Sequence, residues 1–244
     1  MSRRPGPSVL TRDMLRAGGI ERLIAQSVPK LRVLTEDERR ASLAGLLGHR
    51  PEAGAGAWVF AYGSLIWNPA MHYVERRFAR VYGWHRAFCL STIAGRGSPE
   101  LPGLVLGLDH GGACTGAAFR IAEEALAEEL PLLWRREMLS GSYRPRWVAV
   151  RDEAGAVFGH AIAFTIRRGG TYYAGGLEED EIVRRLAQAR GALGSSAEYL
   201  FHTRDGLRSL GIVDRRIERL AAKVEHRLTR PEPGPGQAEM VTTN

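Results

Sequence analysis

The stretch WVFAYGSLIWNP, residues 58–69, limits what this chain can fold into more than any other. Trp58 to Tyr62 suit a buried strand, yet Tyr62-Gly63-Ser64 interrupts an apolar run that resumes at once with Leu65-Ile66-Trp67. Turns between strands are ordinarily polar and face water. A break hemmed in by apolar residues has to be covered by distant parts of the chain, and its buried amides then need acceptors. Glycine at 63 allows a sharp turn, because it tolerates backbone angles closed to other residues. Two readings follow. Either the amides of 63 to 66 form a nest for a ligand's carbonyl or carboxylate oxygens, or the break is a strand bulge capped by Ser64.

Around this stretch the pattern is strand-rich. Candidate strands cover 58–62, 74–82, 86–93, 103–108, 114–121, 146–151, 156–166 and 171–174, with glycine-containing turns between them. A helical stretch near 122–138 interrupts them, and Pro131 is expected to divide it by opening a new short helix. From 178 onward the pattern is helical. Ile217, Leu220, Ala221, Val224 and Leu228 recur there at helix spacing. Strands followed by a run of helices argue for an α+β domain around a small sheet or barrel.

Residues 1–57 read as an N-terminal helical extension. Met14-Leu15, Ile20, Leu23-Ile24 and Leu31 suggest one short amphipathic helix. Thr35 with Glu38 forms a capping box that opens another. The main domain spans 58–228. The Pro/Gly-rich residues 229–244 read as a flexible tail.

The 244 residues carry a net charge of +7, which raises the question of nucleic acid. Lys30 and Lys223 are the only lysines, however, and the arginines are scattered through the chain. No nucleic-acid-binding motif appears, so no nucleic-acid partner is expected. No run approaches the ~18 apolar residues of a membrane span, and no apolar segment follows the basic start. The expected setting is cytoplasmic, without a membrane partner. Cys89 and Cys114 are well separated and read as buried free thiols.

Common catalytic signatures are absent. Neither lysine follows a glycine as a P-loop needs, GAGAWV (54–59) fails the dinucleotide fingerprint, and the seven histidines show no zinc spacing. Tyr62 and Ile66 stand where a nucleophile elbow needs glycines, which argues against Ser64 as an acyl-enzyme nucleophile. No cofactor or metal is expected.

One other stretch carries chemistry: LPLLWRREMLSGSYRPRW, residues 130–147. On a helix, Leu133 and Glu137 share a face, which places the Glu137 carboxylate beside a core-facing leucine. Half-buried and away from Arg135 and Arg136, it would have a raised pKa suited to proton transfer near neutrality. The competing reading is a surface ion pair between Glu137 and a neighbouring arginine. Glu198 is a second candidate acid.

Taken together, VFAYGSLIWNP (59–69), YVERRFARVYGWHRAFCL (73–90), PGLVLGLDHGGACTGAAFRI (102–121), LLWRREMLSGSY (132–143) and SSAEYLFHT (195–203) resemble the ChaC-like family of glutathione-specific γ-glutamylcyclotransferases. The resemblance covers about 170 of the 244 residues. It implies a compact β-barrel with helices packed around it, and cleavage of glutathione to 5-oxoproline and Cys-Gly without cofactor. Carried over to these positions, it makes Ala61, Tyr62, Gly63, Ser64, Leu65 and Ile66 the substrate loop and Glu137 the acid/base. Tyr143 and Tyr199 would line the pocket. EMLSGSY spaces its Glu and Tyr more widely than the Glu-Lys-Gly-Gly-Tyr form of animal members, which leaves the place of Tyr143 for the structure to decide. The alternatives are a cyclotransferase for other γ-glutamyl peptides or amines, and a non-catalytic basic binding module.

Overall fold

A computed structural model describes residues 10–52 and 54–230. The expected tail therefore lies almost wholly outside the described residues.

Five strands close a barrel in the order β1 (Ala57–Ala61), β3 (Gly103–Ile121), β2 (Glu75–Thr92), β4 (Tyr143–Arg151) and β5 (Val157–Ile166). Neighbours run antiparallel except β1 and β5, which meet in parallel at Trp58–Ala161 and Val59–Ile162 and close the barrel. The sheet is thus mixed, as the α+β barrel reading expects.

β2 and β3 correct the strand list. The expected breaks at 83–85 and 109–113 are not turns but bulges inside one long ribbon. Pairing passes from Tyr82–Ala113 to Trp84–His110 with a shift of register. Gly83, Gly111 and Gly112 take the positive φ that the bulge requires, +78°, +100° and +70°. Glycine marks both turns and bulges, so composition alone does not distinguish them. The expected strand at 171–174 is also absent; only a bridge between Leu90 and Tyr173 remains.

The outer half of β2 alternates, with Ala79 and Val81 inward and Arg80 and Tyr82 outward. Its inner half, Arg86 to Leu90, is buried on both faces. The buried Arg86 is fully engaged: its Nε donates to Tyr62 O at 2.5 Å, a terminal nitrogen donates to Thr115 O, and it pairs with Asp214. Asp214 also caps α8 (Arg215–Thr229). One guanidinium thus ties the chain at Tyr62 to the C-terminal helix.

After a 3₁₀ turn at Glu123–Ala125 comes α5 (Leu126–Glu137), a single helix with Pro131 in its interior. Pro131 is solvent-facing, and the helix continues although proline cannot supply the bond back to Ala127. Helices α6 (Glu179–Gln188), α7 (Ser196–Arg208) and α8 follow. The apolar stripe of α8 ends at Val224, because Leu228 is 48% exposed rather than packed.

The N-terminal segment holds three helices, α1 (Arg12–Arg16), α2 (Gly19–Ser27) and α3 (Glu36–Leu47), rather than two. The Thr35–Glu38 capping box opens α3 as expected. Leu15, Ile20 and Ile24 pack with Ala94, Leu132 and Leu139 in a core cluster of their own. Glu129, 1% exposed on α5, pairs with Arg12 of α1 and accepts the His72 amide. Losing a partner of a buried charge is costly, so this ion pair fixes α1 to α5. No helix among the described residues is long and apolar enough to cross a membrane.

Candidate active site

β1 ends at Ala61, and the chain turns through Tyr62-Gly63 into the short helix α4 (Ser64–Trp67). The structure adds a steric reason for the glycine. Gly63 has φ −141° and ψ −126°. A Cβ there would stand 2.9 Å from the Tyr199 hydroxyl and 3.4 Å from the Leu106 side chain. One expected free amide and one residue of the expected loop are also accounted for differently. Ile66 N donates to Gly63 O at 2.9 Å, and Ala61 is paired with Ala117 inside the sheet. Neither Ala61 nor Ile66 lines the space beside this turn. Ser64 and Leu65 open the helix, where amides have no preceding turn to bond.

Beside this turn is an alcove of about 20 Å³. That is room for little more than one water-sized group. Tyr62, Gly63, Ser64 and Leu65 form one side; Glu137, Tyr143 and Tyr199 approach from α5, β4 and α7; Leu106 and Phe164 of the barrel close it. Residues far apart in sequence, 62–65, 137, 143 and 199, therefore share one small space. The wider Glu–Tyr spacing does not carry Tyr143 away, because Gly141 turns the chain at φ +67° and delivers Tyr143 to β4.

Glu137 ends α5, and its side chain is 12% exposed. The sequence offered either a buried acid away from its arginines or a surface ion pair; the structure holds a buried acid with an ion pair. Arg136, whose side chain is 4% exposed, reaches Glu137 Oε1 at 2.9 Å. Burial pushes the Glu137 pKa up and Arg136 pulls it down, and the net direction is upward. Arg136 also donates to Ser64 Oγ at 2.9 Å and to Asn68 O. It was visible in the sequence only as a flanking charge, yet it joins the catalytic candidate to the turn.

The phenols are held by backbone groups. Tyr62 donates to Phe164 O and Tyr143 to Leu106 O, each at 2.7 Å. Tyr199 instead accepts the Leu106 amide at 3.4 Å, so its own hydroxyl proton is not needed for that bond. Burial raises all three pKa values, Tyr199 to about 12, and the phenols stay neutral donors near pH 7. Trp67 packs edge-on against Tyr199 and donates to Thr203 Oγ1 at 3.2 Å.

The second candidate acid and several other titratable side chains lie elsewhere. Glu198 completes a capping box with Ser195, is 42% exposed, and is held below its ordinary pKa chiefly by the Ser195 amide. It caps α7 and lines no cavity. His85 bonds Gly111 O at the far end of the β2–β3 ribbon. Cys89 and Cys114 are buried free thiols, with Cys89 pushed by burial to about 12.

The alcove opens into a larger cavity of about 210 Å³, which shares Ser64, Glu137, Tyr143 and Tyr199. Thr92 to Arg96 and Tyr172 form one bank of it. Leu10, Ile20, Ile24 and Leu31 form the other. Nothing local in the sequence marks this second bank, because its residues look like the apolar face of any short helix.

The model of the ChaC-like protein family matches residues 57–227. The glutathione-specific γ-glutamylcyclotransferase of Escherichia coli K12 is 38% identical over 217 residues, 89% of this chain and 93% of that protein. Human glutathione-specific γ-glutamylcyclotransferase 1 is 32% identical over 171 residues, covering 69% of this chain and 77% of the relative. The crystal structure of a yeast γ-glutamyl cyclotransferase specific to glutathione has the same fold, with a TM-score of 0.63 over 71% of this chain and 97% of that one, at 22% identity. The barrel, its buried acid and these matches lead to one statement: the chain belongs to the ChaC-like protein family.

Proposed function

We propose that the protein is a γ-glutamylcyclotransferase that splits glutathione into 5-oxoproline and Cys-Gly, with Glu137 as its acid and base. The observation that carries this reading is the shared alcove, in which a buried carboxyl of raised pKa faces the 62–65 turn and the Tyr199 hydroxyl. The names of the E. coli and human relatives support glutathione as the substrate.

The reaction asks little of the protein beyond placement and one proton. The substrate's own α-amine attacks its γ-carbonyl carbon, forming the ring C–N bond. The amide C–N bond to cysteine then breaks, and the electron pair leaves with the cysteinyl nitrogen. Glu137 takes a proton from the attacking amine and gives it to that leaving nitrogen, ending as it began. No water is consumed. In the tetrahedral intermediate the former carbonyl oxygen carries negative charge. The alcove is sized for one such atom, with the Ser64 and Leu65 amides and the neutral Tyr199 hydroxyl as donors. A donor of this kind is typically worth about 3–4 kcal/mol. Folding the γ-glutamyl arm until amine meets carbonyl is a positioning task for the surrounding walls.

Incubation with glutathione and mass detection of 5-oxoproline and Cys-Gly tests the proposal. Both products should form in equal amounts. A parallel incubation with γ-glutamyl-alanine separates a glutathione enzyme from a general γ-glutamyl one, and faster turnover of the alanine compound would replace glutathione as the substrate.

A further inference from the structure

If the γ-carbonyl sits in the alcove, the rest of the substrate has one way to go. The alcove is too small for more than the reacting oxygen, so the rest of the substrate, the cysteinyl-glycine portion included, must extend into the cavity of about 210 Å³ that shares Glu137 and Tyr199 with it. The bank formed by Leu10, Ile20, Ile24 and Leu31 offers only aliphatic side chains. It contributes no hydrogen-bonding side chain and no charge.

This bank is not loosely attached. Leu10 O accepts from Asn68 Nδ2 at 3.0 Å, which joins it to the end of the α4 turn. Arg135, two residues before Glu137, donates to Leu15 O at 2.9 Å and pairs with Glu21 at 3.2 Å. Leu34 N donates to Leu139 O at 2.8 Å, two residues after Glu137. The wall is thus fastened to the same helix end that carries the acid, on both sides of it.

We propose that Ile20, Ile24 and Leu31 of the N-terminal segment are specificity-determining residues, forming the aliphatic subsite for the side chain of the residue that leaves. The inference rests on the cyclotransferase reading above and adds the leaving group's environment to it. A fixed aliphatic wall takes a small, weakly polar side chain such as the cysteinyl CH₂–SH. The wall itself offers a charged side chain no partner, Arg96 and Arg136 lying elsewhere in the cavity lining, and it disfavours a branched larger one, for which it leaves less room.

The test compares kcat and KM on glutathione, γ-glutamyl-leucyl-glycine and γ-glutamyl-aspartyl-glycine for the full-length wild type, Ile24→Ala, Leu31→Ala and Ile24→Phe. Leu31 lies between helices and is half-buried, so Leu31→Ala serves if Ile24→Ala does not fold. Each alanine variant should lower kcat/KM on glutathione roughly tenfold, as expected for lost methylene contacts in an apolar pocket, chiefly through KM. Activity on the leucyl peptide should rise relative to glutathione, and Ile24→Phe should shift that ratio the opposite way. A merely structural role would lower every substrate by one factor and leave the ratios fixed, and that result overturns the inference. A folded wild type that acts on glutathione with unmoved selectivity in all variants sinks this proposal alone. Absence of 5-oxoproline from the wild type sinks the functional reading along with it.

Discussion

The alcove and the outer cavity share four residues but are built on opposite principles. The alcove is polar and rigid. Its phenols are locked onto barrel carbonyls and amides at Leu106 and Phe164, and Arg86 holds the Tyr62 carbonyl. The outer bank is apolar and peripheral, and it is held in place through Arg12, Arg135 and Glu21 at the helix surfaces. Chemistry needs donors fixed to fractions of an ångström, and a closed barrel supplies that. A leaving group needs only a surface of suitable size, which a packed helix pair supplies. If this contrast is correct, changes in the alcove should act on kcat by large factors, and changes outside it on KM by small ones.

The largest effect is expected from Glu137→Gln. The amide keeps the shape and can still accept from Arg136, but it cannot move a proton. Turnover should fall by about 10³-fold, within the range for a lost general acid/base, while KM stays near the wild-type value. Steady-state kinetics on glutathione checks this. A rate within tenfold of wild type would remove Glu137 from the mechanism.

Gly63→Ala comes next. The added methyl would meet the Tyr199 hydroxyl at 2.9 Å, so one of them must move. A shift of that size at the reacting centre costs about 10²-fold in kcat/KM. Tyr199→Phe in the same chain removes the oxygen the methyl strikes and should recover part of the loss. If the double variant falls by the product of the single losses, the two sites are independent and the contact is not the cause.

Arg136→Met sharpens the comparison from the electrostatic side. The guanidinium lowers the Glu137 pKa and also fastens Ser64. Its removal should cost roughly tenfold in kcat, the scale of a hydrogen bond to a charged group. It should also move the acid limb of the pH–rate profile upward, because Glu137 then loses the attraction of Arg136 for its ionised state. An unmoved limb would mean that a different group titrates there.

The same contrast governs what the sequence makes legible. Tyr62 to Leu65, Glu137, Tyr143 and Tyr199 lie in segments with recognisable patterning, and they do meet. The family resemblance makes Ala61 and Ile66 the two ends of the substrate loop; the sheet pairs the first, and the turn's own hydrogen bond takes the amide of the second. The crowding at Gly63 was not legible either. Its neighbour Tyr199 is 136 positions away, and a close approach between distant elements leaves no local trace. Strand breaks at Gly83 and Gly111-Gly112 failed for a related reason, since positive φ serves a bulge as readily as a turn. The N-terminal bank was the least visible part. Ile20 and Ile24 reveal that one helix face is buried, but not what it is buried against.

The smallest expected effect concerns stability, and two terms oppose each other in it. Replacing Glu137 by Gln removes a buried negative charge, which relieves desolvation, yet it leaves the buried Arg136 without its anion. The direction of the Glu137 pKa decides between them, because that direction already contains the attraction of Arg136. A carboxyl whose folded pKa stands above its ordinary 4.5 contributes stability in its protonated form. That contribution is fully present below about 4.5 and is lost as pH rises through the folded value. As pH rises the wild type loses it, whereas the permanently neutral Gln has none to lose. Glu137→Gln should therefore melt no lower than wild type at pH 7, with a gain of roughly 2–4 °C for each kcal/mol relieved. The gap should close as pH falls toward 4.5. Melting curves for both proteins across that range check the sign. A variant that melts below wild type at pH 7 would mean that the Arg136 pair outweighs burial, and Glu137 would then be an ordinary ionised acid with no raised pKa to offer the reaction.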